Sequence, residues 1–106
     1  MFVVTNTIRI KLGYAEQVLE GFKNPKGVQH SPGFVRLELW QTKGLEEHDE
    51  IKVCTTWENG EAFRQWTESD AFKQAHAGRG GNSREYMLGA KLDKYEIVAS
   101  HVAPIE

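Results

Sequence analysis

The sequence predicts an α+β domain of the ferredoxin-like type, in the order βαββαβ, with a four-stranded antiparallel sheet and its helices on one face. Three observations predict it. Apolar and polar residues alternate in four separate stretches, as half-buried strands require. Two other stretches carry apolar residues at helical spacing. The helical stretches fall after the first and third strands, which gives two split βαβ halves. The sheet face turned away from the helices still carries apolar residues, including Val3 beside Thr5, and needs a cover. A second copy packed sheet to sheet is the simplest one, so the expected assembly is a homodimer with a barrel-like interface.

In chain order, Phe2, Val4, Ile8 and Ile10 alternate with Val3, Thr5, Thr7 and Arg9 in the first strand, and Asn6 interrupts its more apolar face. Gly13 to Phe22 has Tyr14, Val18, Leu19 and Phe22 at helical spacing, and Asn24-Pro25 ends that helix. Lys26 to Gly33 reads as a turn-rich loop with a solvated His30. Phe34 to Gln41 is the second strand, and Lys43 to Asp49 is a polar hairpin connection with His48 exposed in it. Glu50 to Trp57 is the third strand. A second helical region opens at Asn59 or Gly60 with Ala62, Phe63 and Trp66 on one face. It restarts at Ser69, a fresh N-cap followed by Asp70, and continues through Phe72, Ala75 and His76 to a Gly78 cap. Arg79 to Lys91 reads as an irregular loop, and Leu92 to Val102 as a long final strand ended by Pro104.

The chain has 106 residues and reads as one domain spanning 1–106. A domain of this size buries roughly two-thirds of its unfolded surface. A site between sheet and helix, or at a dimer interface, is therefore easier to build than a deep closed cavity. A net charge of −2 with interspersed signs and no basic block gives no nucleic-acid footprint. Cys54 is the only cysteine, which excludes an internal disulfide and fits a reducing compartment. No apolar run is long enough for a membrane span and no signal pattern opens the chain, so a soluble, cytoplasmic protein is expected.

Among motifs that carry chemistry, paired metal-ligand spacing, nucleophile-elbow and Cys–His signatures are absent. The run Gly78 to Gly81 follows a helix instead of preceding one, the wrong order for a phosphate cradle. What remains is Asn6, Trp66 and His76. Each alone is more often structural: a satisfied core amide or bulge, a core indole, a lone histidine on an apolar helix face. Together they come from elements that this fold packs against one another, so an amide, an indole and an imidazole can face one space. Neutral imidazole is a common ligand of haem iron.

At these residues the chain resembles the IsdG-type haem-degrading monooxygenases, relatives of the antibiotic-biosynthesis monooxygenases. The likeness covers nearly the whole chain. It is carried by Thr5 to Thr7, Pro32-Gly33-Phe34, Thr56-Trp57, Ala62-Phe63, Trp66, Ser69-Asp70, Phe72-Lys73 and Ala75-His76. The resemblance implies a dimeric ferredoxin-like barrel that opens haem oxidatively, with O2 and electrons from an external reductase or small reductant, and releases iron with a linear tetrapyrrole. It implies His76 as the iron ligand, Asn6 as a hydrogen-bond donor on the opposite side of the ring, and Trp66 as the bulk that bends the porphyrin. Arg79 and Arg84, in the glycine-rich loop, are its candidates for contacts to the haem propionates. Three other readings stay open: a cofactor-independent monooxygenase of aromatic, polyketide-like substrates, which has no need of His76; a non-catalytic haem carrier; and a structural dimeric stress protein.

Overall fold

The structure, a computed structural model, describes residues 1–23, 27–77 and 86–104, with the backbone alone for 75–77. Its elements are β1 (Phe2–Lys11), α1 (Ala15–Phe22), a 3-10 turn (Val28–His30), β2 (Phe34–Gln41), β3 (His48–Trp57), α2 (Gly60–Thr67), α3 (Asp70–Ala77) and β4 (Met87–Glu96). All four strands join one antiparallel sheet in the order β2-β3-β1-β4, the arrangement predicted from the sequence. Among the described residues no helix is long and apolar enough to cross a membrane.

The period-2 rule sorts the side chains. Even-numbered residues of β1 face the helices, together with Ile51, Val53, Thr55 and Trp57 of β3 and Ala90, Leu92 and Lys94 of β4, their register partners. The helix-facing core forms two clusters. Val4, Val28, Trp57, Ala62 and Trp66 make one, under α2 and α3. Ile8, Ile10, Ala15, Val18 and Ile51 make the other, under α1. Trp57, fully buried, anchors the first: Phe34 and Phe63 meet it edge-on at 5.4 and 5.7 Å, and its indole N–H donates to Thr55 Oγ1 at 3.0 Å.

The helices are held by specific caps. Tyr14, at the N-cap of α1, offers no side-chain cap, and Asp49 of β3 supplies one from across the fold. Its Oδ2 accepts from the Gly13 and Ala15 amides at 2.9 and 3.3 Å. Asn59 caps α2 by accepting from the Ala62 amide at 2.9 Å. Gly33 has φ +82°, and a Cβ there would stand 2.5 Å from the Ala62 Cβ. The Gly33 carbonyl also accepts from the Glu58 amide, so the Pro32-Gly33-Phe34 turn is pressed against the start of α2. Only a glycine permits that approach, and it fixes where α2 begins.

Four expectations change. The third strand starts earlier, at His48, because His48 pairs with Lys11 in register and does not lie in the connection. Tyr14 stays 40% exposed and stacks on Tyr86 at 4.9 Å, while Ala15 takes the buried place in α1. The loop around His30 contains a 3-10 turn. The final strand is Met87–Glu96, not Leu92 to Val102: it follows β1, and that pairing ends at Phe2–Glu96. Asn24-Pro25, Gly78, Arg79 and Arg84 lie outside the described residues.

Candidate active site

Asn6 sits in the middle of β1, between Val53 of β3 and Leu92 of β4 in the register. Its side chain is on the helix-facing side, between Val4 of one core cluster and Ile8 of the other. Val4 and Ile8 are 3% and 2% exposed, yet Asn6 between them is only half-buried. Leu92, on the same face, is 53% exposed. Among the described residues, the row Val53, Asn6, Leu92 is therefore less covered than the rows on either side, an apolar floor with one amide in its centre. Among the described residues, that amide makes no hydrogen bond. The bulge reading of Asn6 fails, because the irregularity in β1 lies between Arg9 and Ile10.

Trp66 belongs to the first cluster, on the same side of the sheet as Asn6. It is buried at 7% exposure, joins Val4 in the cluster, and meets the Phe72 ring edge-on at 5.6 Å. The corner between α2 and α3 holds this pair. Ser69 donates to the Trp66 carbonyl at 2.6 Å and accepts from the Phe72 amide at 3.1 Å. The N-cap expected at Ser69 is thus also the joint that sets Trp66 against α3. His76 lies on α3 four residues after Phe72, one helical turn on, and its side chain is outside the described residues. The structure brings Asn6 and Trp66 to one side of the sheet and puts the backbone of His76 on the helix that packs against Trp66. The sequence alone did not indicate Leu92 and Val53 as floor residues, since strand register is needed to place them beside Asn6.

The electrostatics here are quiet. Among the described residues no group of His, Cys, Asp and Glu is arranged to hold a bare metal ion. The exposed face of α2 carries Glu61, Arg64 and Glu68 as ion pairs, which hold the Glu61 carboxyl below its ordinary range. A shallow hollow at the start of α2, lined by Pro32, Glu58, Asn59, Glu61 and Gln65, contains none of the three predicted residues.

The comparisons with known proteins agree with this architecture. Residues 1–78 match the family described as antibiotic biosynthesis monooxygenase. A protein of Bacillus cereus named heme-degrading monooxygenase is 38% identical over 97 residues, 92% of this chain and 90% of the relative. The structure of the heme-degrader MhuD from Mycobacterium tuberculosis, with two hemes bound in its active site, superposes with a TM-score of 0.75 at 29% identity, covering 96% of this chain and all of the other. A Bacillus cereus structure described as of the antibiotic-biosynthesis monooxygenase type superposes at a TM-score of 0.83 and 24% identity, over 96% of this chain and 97% of the other, a likeness of fold. Matched along most of its length in sequence and in fold, the chain belongs to the antibiotic biosynthesis monooxygenase family.

Proposed function

We propose that the protein is a haem-degrading monooxygenase that opens the porphyrin ring oxidatively, using O2 and electrons from an external donor, and releases iron and a linear tetrapyrrole. One observation of the structure carries the reading: among the described residues, the row Val53, Asn6, Leu92 is left partly open, and the Asn6 amide in its centre has no hydrogen-bond partner. A flat apolar ring with one face in need of a hydrogen-bond donor suits that floor. The heme-degrading relatives in sequence and in structure support the same substrate.

Haem is here both the substrate and the group that activates oxygen. The chain's own residues divide the remaining work. His76, a neutral imidazole on α3, holds the iron from one side. Asn6 can donate an N–H, which a carboxylate cannot, and orients dioxygen on the other side. Val53, Leu92 and Phe72 exclude water around the ring. Trp66, locked by Ser69 and Phe72, is too rigid to yield and presses on the porphyrin plane. Arg79 and Arg84 remain the proposed partners of the propionates.

A homodimer is part of the proposal. On the open sheet face Thr5, Cys54 and Thr56 are already buried within one chain, while Trp40 and Tyr95 stand 47% and 50% exposed beside them. The buried Thr5 Oγ1 has no hydrogen-bond partner among the described residues. A second sheet laid on this face would cover the aromatic rings and enclose that hydroxyl. A cytoplasmic place and a part in iron acquisition belong to the same reading.

The test is spectroscopic. Haem is added to the protein, then ascorbate in air, and the visible spectrum is followed. Loss of the Soret band with release of chelatable iron is expected. A stable Soret band would make the protein a haem carrier, and no Soret shift on mixing would leave the cofactor-independent monooxygenase and the structural dimeric protein. His76→Ala should lose the spectrum of a histidine-ligated haem. If it keeps that spectrum, the ligand is another of the histidines, His30, His48 or His101.

A further inference from the structure

Trp66 and His76 stand on two short helices that meet at Ser69. In the reading above both address the same ring, one by pressing on its plane and one by holding its iron. The corner between the helices therefore sets the spacing at which they meet the ring.

Ser69 does more at that corner than a cap requires. An N-cap has only to accept, and the Ser69 Oγ accepts from the Phe72 amide at 3.1 Å. The same oxygen also donates, to the Trp66 carbonyl at 2.6 Å. That carbonyl lies in the last turn of α2, where carbonyls have no partner within their own helix. The Ser69 amide reaches it too, at 3.1 Å, and the Ser69 carbonyl accepts from the Lys73 amide at 3.3 Å. One hydroxyl thus ties the backbone of Trp66 directly to the first turn of α3. The Trp66 and Phe72 rings, edge-on at 5.6 Å, also hold the helices together. A ring pair tolerates a slide, whereas a hydrogen bond fixes a length and an angle.

The corner is also a lever. His76 lies seven residues beyond Ser69, about 10 Å along α3. A tilt of α3 by roughly 5° moves His76 by about 1 Å, while Trp66 stays with α2. A misplacement of about 1 Å is enough to change a rate by roughly a hundredfold.

We propose that Ser69 is a positioning residue for ring opening: through the bond it donates to the Trp66 carbonyl, it fixes the spacing between Trp66 and the helix of His76 and so selects which meso carbon of the porphyrin is opened. The inference rests on the haem reading above. A ring pressed at one place buckles in one pattern, and that pattern favours one meso position over the others. The selecting feature is the donor half of the hydroxyl, apart from the capping half.

Three substitutions separate the halves. Ser69→Thr keeps a hydroxyl that both donates and accepts. Ser69→Asp keeps an acceptor for the Phe72 amide, and Asp is a good cap, but a carboxylate cannot donate to the Trp66 carbonyl. Ser69→Ala loses both. Hydrogen exchange at the Phe72 amide reads the cap. The Trp66 indole N–H resonance, taken without haem, reads the ring's position. The isomers of the tetrapyrrole formed with haem and ascorbate in air, separated by chromatography, read the selection. Ser69→Thr should match the unsubstituted chain in all three. Ser69→Asp should keep the Phe72 protection within about twofold, yet shift the indole resonance and change the isomer ratio at least about threefold. Ser69→Ala should lose the protection as well, and if it fails to fold the other two variants carry the test. An unchanged isomer ratio in Ser69→Asp overturns the proposal. A ratio that changes as much in Ser69→Thr makes the effect one of bulk and overturns it too. A changed ratio with an unmoved indole resonance overturns the route through Trp66. If the unsubstituted chain leaves haem unbleached, the haem reading falls and the proposal with it; a shifted indole resonance in Ser69→Asp then still shows the tie between the helices, so the two failures are told apart.

Discussion

Replacing Asn6 by Leu should make the protein more stable and less active. Asn and Leu have similar length, and Leu suits the apolar row of Val53 and Leu92 on either side. Because the Asn6 amide makes no hydrogen bond among the described residues, no bond is lost. Full burial of a Leu side chain is worth ~1.5–3 kcal/mol, and a half-buried position gives about 1 kcal/mol. Leaving a poor strand former adds a few tenths, roughly. For a domain of this size about 1 kcal/mol is a rise of roughly 4–8 °C in Tm. Urea and thermal unfolding at one fixed chain concentration measure it, since dimerisation makes stability concentration-dependent. The same variant should still bind haem with an unaltered Soret position, because Asn6 makes no bond to iron in the proposed arrangement. Its single-turnover bleaching should slow by about ten- to a hundredfold, the loss of one hydrogen bond to a polarised group worth ~1.5–3 kcal/mol. A satisfied core amide predicts the reverse: a loss of ~1–3 kcal/mol in stability and no effect on bleaching. Asn6→Leu destabilised by more than 1 kcal/mol, roughly, would refute the unpartnered amide. Wild-type bleaching in a folded Asn6→Leu would refute its role as donor.

Trp66→Ala removes a 7%-exposed indole from the Val4 cluster and should cost ~3–5 kcal/mol in urea unfolding. What remains folded should bind haem and degrade it more slowly, and unchanged turnover would take Trp66 out of the mechanism. Gly33→Ala puts a Cβ 2.5 Å from the Ala62 Cβ at a positive φ, and should destabilise by ~1–3 kcal/mol without touching the Asn6 row; a neutral effect in thermal unfolding would mean the turn can move. Burial, with Glu38 adding and Arg36 opposing, holds the Cys54 thiol above its ordinary value of 9.0. The folded state therefore keeps a proton that the unfolded chain releases, so stability is unaffected below about pH 9 and falls as pH rises beyond it. Cys54→Ala should flatten that alkaline slope, and identical slopes in the two proteins would contradict the buried thiol.

How far the sequence could be read depended on whether a feature is local. β2 was legible to the residue, Phe34–Gln41, because alternation and its flanking turns are both written in the chain. The break at Ser69 was legible for the same reason, as a hydroxyl with an acid next to it announces a helix start. The end of β4 was not. Ile97 to Val102 alternates as well as any strand here, but a strand lasts only as long as its neighbour, and β1 gives out at Phe2. Its beginning was hidden by Gly89, which reads as loop and yet pairs opposite Arg9. In the candidate site, Asn6 was singled out as a polar residue on an apolar strand face, and Trp66 as a large ring on an apolar helix face. The partly open row around Asn6 was beyond reach, because it depends on how the helices lie on the sheet and not on any one segment.

That opening follows from the corner at Ser69. A single helix from Gly60 to Ala77 would be about 27 Å long and would run over most of a ten-residue strand. It would cover the Asn6 row and merge the two core clusters into one. Instead the Ser69 hydroxyl takes the Trp66 carbonyl and the Phe72 amide, turning the chain after α2. Phe72 then packs back against Trp66 and the first cluster and does not advance along β1. The fold gives up a continuous core at this place. In return it leaves an apolar floor around the Asn6 amide, and the helix that carries His76 starts from the same corner. The residues that shape the candidate site are therefore not all residues that would touch a ligand: Gly33 presses on the start of α2 and Ser69 turns the chain at its end, and both bear on how much of the Asn6 row the helices cover.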